Sequence, residues 1–357
     1  MAQLRGTSLG RRRFLAGGAA LGVAGVATLA GCTSNDDDNP GDAANVSTGG
    51  GGDNAAAGKQ ITIGFSAPAA DHGWIGAITR NARAQAGTHT DVTLKATEGT
   101  NDLNLQISQV ETLINEGVDV LVILPHDGKA LTEVARKAMI ANIPVINLDR
   151  VFDSSLAYRT WIGGDNYGMG VAAGNYIAGQ LKAKGVSNPV IAEIPGIDSL
   201  PLTQQRSQGF KDALATAGFK VGPRVPAEFT VESGERSAAN LLQAAPRIDA
   251  LWNHDDDQGI GVLSAIDSAG RDEFFLVGGA GSKDVMDLIK ADDGVVKATV
   301  TYPPTMASSA INLARLVAQG KTLSDLVEND VPSSITLASV TVTKDNVDRY
   351  LKFGFAS

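Results

Sequence analysis

From Gln60 onward, short apolar runs alternate with longer stretches whose apolar residues recur at helical spacing. Runs at 61–65, 92–96, 118–124, 143–148, 190–194, 250–252, 274–277 and 295–301 read as strands, and a last strand is expected near 335–342. Stretches at 72–86, 102–116, 129–141, 167–183, 202–217, 258–269, 283–291 and 305–319 read as helices. In 102–116, Leu103, Ile107, Val110, Leu113 and Ile114 fall on one face. Strand–helix alternation with short loops is the pattern of a parallel sheet covered by helices on both sides, so the chain falls in the α/β class. At 357 residues it is long enough for two such domains.

The run Ile143-Pro144-Val145-Ile146-Asn147-Leu148 reads as a strand buried on both faces. It ends in Asp149-Arg150, two charges that need partners if buried. Ligands of open α/β sheets sit beyond the carboxyl ends of the strands. A carboxylate and a guanidinium there can accept from and donate to one small polar molecule. They can equally form a local ion pair that caps the strand. An internal echo favours two similar lobes: Ile248-Asp249-Ala250-Leu251-Trp252-Asn253-His254-Asp255 follows the pattern of Gly117-Val118-Asp119-Val120-Leu121 leading to Pro125-His126-Asp127. Strand–Asp–helix is also a common local arrangement, since Asp is a natural N-cap.

The N-terminus carries its own pattern. Arg11-Arg12-Arg13-Phe14-Leu15 fits a twin-arginine export signal, and an Ala/Gly-rich apolar region leads to Leu29-Ala30-Gly31-Cys32. The latter resembles the lipobox of bacterial lipoproteins, in which the cysteine becomes the lipidated first residue. Residues 1–31 therefore read as a removed signal peptide, with an uncleaved anchor helix as the other reading; the region is short and Gly-rich for a span. Cys32 is the only cysteine, so no disulfide can form within the chain. Residues 32–59 hold Asp36-Asp37-Asp38, Pro40 and four successive glycines from Gly49, a composition expected to be a flexible linker. Asp36, Asp38 and Gly41 do not make a calcium loop, because Ser47 stands where the closing Glu belongs. Net charge is −9; without the four arginines of residues 1–31 it is −13, with 26 basic against 39 acidic residues. No basic footprint for nucleic acid is present. The expected location is outside the cytoplasm, lipid-anchored to the outer face of the cell membrane.

Enzyme motifs are sparse. Three of the four histidines adjoin an Asp, as Asp71-His72, His126-Asp127 and His254-Asp255. A metal site could use them, but no helix carries two at ligand spacing, and N-caps lining a cleft are the preferred reading. No metal and no cofactor are expected. Gly-x-Ser-x-Gly and Gly-Lys-Ser/Thr are absent. Gly168, Gly170 and Gly174 miss the dinucleotide spacing by one position, with no acid about 20 residues on; they read as helix-packing glycines.

Residues 60–357 resemble the ribose-type branch of the periplasmic sugar-binding proteins of ABC importers. The resemblance is carried by Ala141-Asn142-Ile143-Pro144-Val145-Ile146-Asn147-Leu148-Asp149-Arg150, Gly163-Gly164-Asp165-Asn166, Gln205-Arg206-Ser207-Gln208-Gly209-Phe210, Asp255-Asp256 and Val277-Gly278. It implies two similar lobes, each a parallel sheet flanked by helices, joined by three hinge crossovers near Gly164, Tyr302 and Ser334. The lobes would be 60–164 plus 302–333 and 165–301 plus 334–357.

The resemblance also implies a pocket. Asp149 and Arg150 match residues that bond sugar hydroxyls. Trp74 and Phe229 match aromatics covering opposite ring faces. Asp71 and Asp255 match polar contacts, Arg206 a structural position, and Trp252 reads as core. Gln204 stands where ribose binders have Arg, Ala280 where they have Asp, Tyr302 where they have Gln, and Gly73 replaces one of two adjacent aromatics. The expected ligand is thus a small neutral sugar or sugar alcohol other than ribose, delivered by a monomer to the permease of an ABC importer. A sensor presenting a sugar or an autoinducer-type ligand to a receptor is the alternative, with an exported metal-dependent hydrolase behind it. The lactose-repressor family shares the fold, but an acidic linker occupies the place of its DNA-binding head.

Overall fold

The structure, a computed structural model, describes residues 54–323 and 330–357. Chain order runs β1 (Ile61–Ser66), α1 (Gly73–Gly87), β2 (Val92–Ala96), α2 (Leu103–Asn115), β3 (Val120–Ile123), α3 (Gly128–Ile140), β4 (Val145–Leu148) and β5 (Thr160–Gly164). Then follow α4 (Asn166–Ala183), β6 (Ile191–Ile194), α5 (Pro201–Thr216), β7 (Val221–Arg224), α6 (Val231–Ala244), β8 (Ala250–Asn253), α7 (Asp256–Ala269), β9 (Phe275–Ala280), α8 (Lys283–Ala291) and β10 (Val296–Thr301). α9 (Met306–Ala318), β11 (Ser334–Leu337), β12 (Thr341–Thr343) and α10 (Val347–Tyr350) complete it.

These elements form two six-stranded sheets, ordered β11-β5-β4-β3-β1-β2 and β12-β10-β9-β8-β6-β7. Every pair in the first sheet is parallel. The second is parallel except for β12, which runs antiparallel to β10. The central strands β3, β4 and β8 are buried throughout, as expected of strands covered on both faces. The echoed segments of the sequence become β3 and β8, which hold the same place, fourth in order, in the two sheets. Helix starts follow from capping: Asp102, Asp127, Asp165, Thr230, Asp255 and Ser282 each accept a first-turn N–H. Gly170 lets α4 meet α5 closely; a Cβ there would stand 2.0 Å from the Arg206 carbonyl oxygen. One apolar cluster runs from the α1–α9 side of the first sheet, through Trp74, Met169 and Tyr302, to the α4–α5 side of the second.

Several expectations shift. The single strand expected near 335–342 is two short ones in different sheets, because β11 pairs with β5 while β12 pairs with β10. The third crossing therefore lies at 338–340, not at Ser334, and Ser334–Leu337 belongs to the first lobe. β5, β7, α6 and α10 have no counterpart among the runs and stretches read from periodicity. β7 is an edge strand containing Gly222 and Pro223, which edges tolerate and interiors do not. The signal peptide, Cys32 and most of the linker lie outside the described residues. The linker's last six residues are docked: Arg315 donates to the carbonyls of Asn54 and Ala56, at 2.5 and 2.7 Å, and Gly58 N–H donates to Asp91.

Arg315 also pairs with Asp91 through two parallel bonds of 2.8 and 2.6 Å, with both side chains almost fully buried. The guanidinium holds the Asp91 carboxyl well below the usual carboxylate range, and Gly58 N–H and Gln319 add to the effect. Removing one member of such a pair leaves a buried charge and costs about 3–5 kcal/mol. Arg315→Ala should lower the urea midpoint accordingly; an unchanged midpoint would show that the pair contributes nothing net.

Candidate functional site

Ten residues border a cleft between the lobes with about 320 Å³ of empty space, its opening to solvent included: His72, Trp74, Asp149, Arg150, Leu202, Arg206, Phe229, Asp255, Ala280 and Tyr302. Each residue sits at an element end or a crossing, except Leu202 and Arg206, which project from the first turns of α5. Three of them, Asp149 (φ 61°), Phe229 (φ 66°) and Ala280 (φ 79°), hold left-handed backbone. Such conformations cost non-glycine residues roughly 1–3 kcal/mol each and cluster at functional sites.

Asp149 and Arg150 do not pair with each other. Arg150 Nη1 donates to the His126 carbonyl at 2.7 Å, and its Nε is buried without a partner among the described residues. Asp149 Oδ1 accepts from Tyr302 OH at 2.5 Å. The loop between them is stitched by the buried Asn147, which donates to the Arg150 carbonyl and accepts from Phe152 N–H. The strand-capping ion pair is therefore not what the structure contains. Both groups instead border the cavity.

The second lobe mirrors this. Arg206 donates to the His254 carbonyl at 3.3 Å and to Asn166 Oδ1 at 2.8 Å, and its guanidinium lies over the Tyr302 ring, 4.5 Å from the centroid. Asp255 caps α7 by accepting from the N–H groups of Asp257 and Gln258. Burial, reinforced by the Asp257 charge, pushes its carboxyl up to about 7. Behind the pocket, the buried His254 ring meets Glu193 at 2.9 Å, and Glu193 also accepts from Ser207 and Arg224. Burial keeps His254 below its usual value. Trp252 is core as expected, its ring tilted against Phe210 and His254.

The aromatics come from opposite lobes. Trp74 tilts against Tyr302, with ring centroids 5.8 Å apart, and donates from Nε1 to the Tyr302 carbonyl. Phe229 stacks on His72 at 6.3 Å. Trp74 N–H donates across the cleft to Asp257 at 2.8 Å, so α1, which has no side-chain cap of its own, is capped by the other lobe. Gly73 leaves room for this: a Cβ there would stand 2.6 Å from Asp257 Oδ1.

Of the eight residues named from sequence, Trp74, Asp149, Arg150, Phe229, Asp255 and Tyr302 line one cavity; Asp71 and Gln204 do not. Gln204 follows Leu202 by two residues, which on a helix is about 200° round the axis, so it faces solvent when Leu202 and Arg206 face inward. Asp71 stands behind the cavity, bonded to His72 Nδ1 at 2.6 Å and to Asn101 at 2.7 Å. Burial lowers the His72 pKa, but the bond to Asp71 and the fields of Asp255 and Asp257 outweigh it and raise the group overall. Leu202 was missed, Arg206 was read as structural only, and His72, read with the other His–Asp pairs as N-cap and cleft lining, is both. The i, i+4 spacing of Leu202 and Arg206 at a helix start was the available signal. Among the described residues, no group of three or more His, Cys, Asp or Glu side chains is arranged to hold a metal ion.

Residues 63–322 match the periplasmic binding protein domain. The chain belongs to the periplasmic binding protein family. A curated relative, the ribose import binding protein RbsB of Bacillus subtilis, is 31% identical over 248 residues, covering 70% of this chain and 78% of the relative. An ABC transporter solute-binding protein from Mycobacterium smegmatis, solved with bound glycerol, superposes with a TM-score of 0.74 at 26% identity, over 84% of this chain and 99% of that one. The fructose-binding periplasmic domain of a hybrid two-component system gives 0.72 at 26%, over 82% and 94%. The two-lobed α/β fold expected from sequence is the fold of this family.

The Asp255 environment has a pH consequence. A carboxyl raised to about 7 from an ordinary value near 4 binds its proton more tightly folded than unfolded. Its contribution is fully present below about pH 4 and is lost as pH rises through 7. Asp255→Asn keeps the cap and removes the titration. Melting temperature should therefore fall less between pH 5 and 8 in the variant than in the parent. The difference between the two profiles reports Asp255 together with the groups its charge acts on, chiefly His72 and Asp257. Parallel profiles would reject the assignment.

Proposed function

We propose that this protein is an extracytoplasmic solute-binding protein that closes its two lobes on a small neutral sugar or sugar alcohol and passes it to an ABC importer. The observation that carries the reading is the convergence of one acid–arginine set from each lobe, Asp149 with Arg150 and Asp255 with Arg206, on a cavity walled by Trp74 and Phe229. The acids accept from hydroxyls, the guanidiniums donate to hydroxyl or ring oxygens, and the indole and phenyl surfaces suit the C–H face of a sugar. Two carboxyl groups face two guanidiniums across the pocket, so neither sign dominates, which suits an uncharged ligand. The relatives support the same chemistry, since ribose, glycerol and fructose appear in their names and all are small neutral polyols.

Tyr302 separates this pocket from that of a ribose binder. It fills the hinge end and occupies one oxygen of Asp149, which leaves Oδ2 for the ligand. A short or furanose-sized ligand fits that geometry best. The resemblance to a two-component sensor domain supports the second reading, presentation of a sugar to a receptor; transporter genes lying beside this one would favour import.

Residues 1–31 act in this reading as the export signal and Cys32 as the lipidated anchor, so that Cys32→Ala should release the protein from the membrane fraction. Recovery of the variant in membranes at the parental level would reject the anchor.

Asp149→Asn tests the pocket. Asn tolerates the left-handed backbone at this position and can still accept from Tyr302, so stability should change little. A hydrogen bond to a charged group contributes roughly 1.5–3 kcal/mol, and each 1.4 kcal/mol is tenfold in affinity. Calorimetric titration with ribose, xylitol, glycerol and fructose should show affinity for the best of them reduced by about one to two powers of ten. Parental affinity in the variant would remove Asp149 from the site.

A further inference from the structure

A second, larger chamber of about 1070 Å³, open to solvent, adjoins the pocket and shares Asp149, Arg150 and Leu202 as its wall. The first lobe contributes Trp161 and Tyr158, and the second contributes Ser199, Leu200, Pro201 and Gln205. Trp161 is held as a platform. Its Nε1 donates to the Asp149 carbonyl at 2.8 Å. The indole rests over Gly163, where a Cβ would stand 2.3 Å from Cζ2. The side chain is half-buried and stacks on no other ring among the described residues. A flat apolar face rimmed by Lys129, Asp153, Gln205 and Ser199 is the surface chemistry that takes a sugar ring or an aryl group.

We propose that this chamber is a second subsite, which holds what a ligand carries beyond the unit in the pocket: a further sugar ring or an aglycone, stacked on Trp161. The ligand class is then a glycoside or short oligosaccharide, with free monosaccharides as partial ligands. The proposal rests on the reading of the pocket as a sugar site. The shared wall explains how one ligand engages both spaces: Arg150 and Asp149 hold the hydroxyls nearest the linkage, and the indole fixed to the Asp149 carbonyl takes the next unit.

The test is calorimetric titration of the full chain with D-ribose, D-galactose and D-allose, each free and as its methyl and phenyl glycoside. The phenyl glycoside of the preferred sugar should bind about tenfold more tightly than the free sugar. Trp161→Ala should abolish that ratio. Gln205→Trp, which fills the chamber from the other lobe, should abolish it independently. Affinity for the free sugar, read on the same samples, reports whether the pocket is intact. A free sugar that binds while its glycosides bind no better, or a ratio unchanged in both variants, overturns the second subsite and leaves the pocket standing. Failure of every free sugar and every glycoside to bind the parent overturns the sugar reading and the subsite with it.

Discussion

The N-terminus of α7 is the point on which the arrangement depends. Three consecutive carboxylates there are buried, and each is turned to a different partner. Asp255 caps its own helix and borders the cavity. Asp256 accepts from the N–H groups of Gly279, Gly281 and Ser282 and from the Thr299 hydroxyl, which ties the end of β9 to β10 beside the crossing. Asp257 reaches the other lobe and caps α1 at Trp74. The positive end of the helix dipole favours negative charge at such a place, and donors satisfy Asp255 and Asp256, while Asp257 Oδ1 has no hydrogen-bond partner among the described residues. The pocket wall, the hinge and the contact between lobes are thereby set from one helix turn.

The two lobes repeat one device with different parts. In the first, the His126 carbonyl holds Arg150 and Asp127 caps α3. In the second, the His254 carbonyl holds Arg206 and Asp255 caps α7. Two of the three His–Asp pairs, His126-Asp127 and His254-Asp255, are thus arginine holders and helix starts, whereas Asp71 bonds His72 and Asn101. The histidine backbone carries the first role, and the aspartate side chain carries the second. The rings have diverged: His254 is fully buried against Glu193, whereas His126 is partly exposed.

Long elements were legible because their periodicity reports burial directly. The α/β class and the place of the echoed segments followed from residues such as Val120–Ile123 and Ala250–Asn253, whose environment is set by the sheet they lie in. Strands without an unbroken apolar run were not legible. β5 ends in Gly163-Gly164, β7 holds a Gly and a Pro, and the pairing of β11 and β12 with different sheets is a long-range matter that local pattern does not record. In the cavity, residues that follow a strand, such as Asp149 and Asp255, stood out as charges where a buried run ends. Leu202 did not, because nothing in its local pattern separates it from a core leucine, and Gln204 was misplaced because a motif position carries no information about helix phase. The adjacent glycines at 163 and 164, read as a hinge, serve packing as well: one clears the Trp161 ring and the other the Tyr302 ring, on opposite faces of β5.

The docked segment 54–59 decides which half of the molecule is stationary. Arg315 and Asp91, which grip its carbonyls and its Gly58 N–H, both belong to the first lobe. Any tension transmitted along the chain that precedes Asn54 is delivered to that lobe. The second lobe is connected to it covalently only through the three crossings. In the frame of whatever holds the N-terminal segment, the first lobe with Asp149, Arg150 and Trp161 is the fixed jaw. In the closure proposed above, the second lobe, with Arg206, Phe229 and Asp255, is then the one that swings.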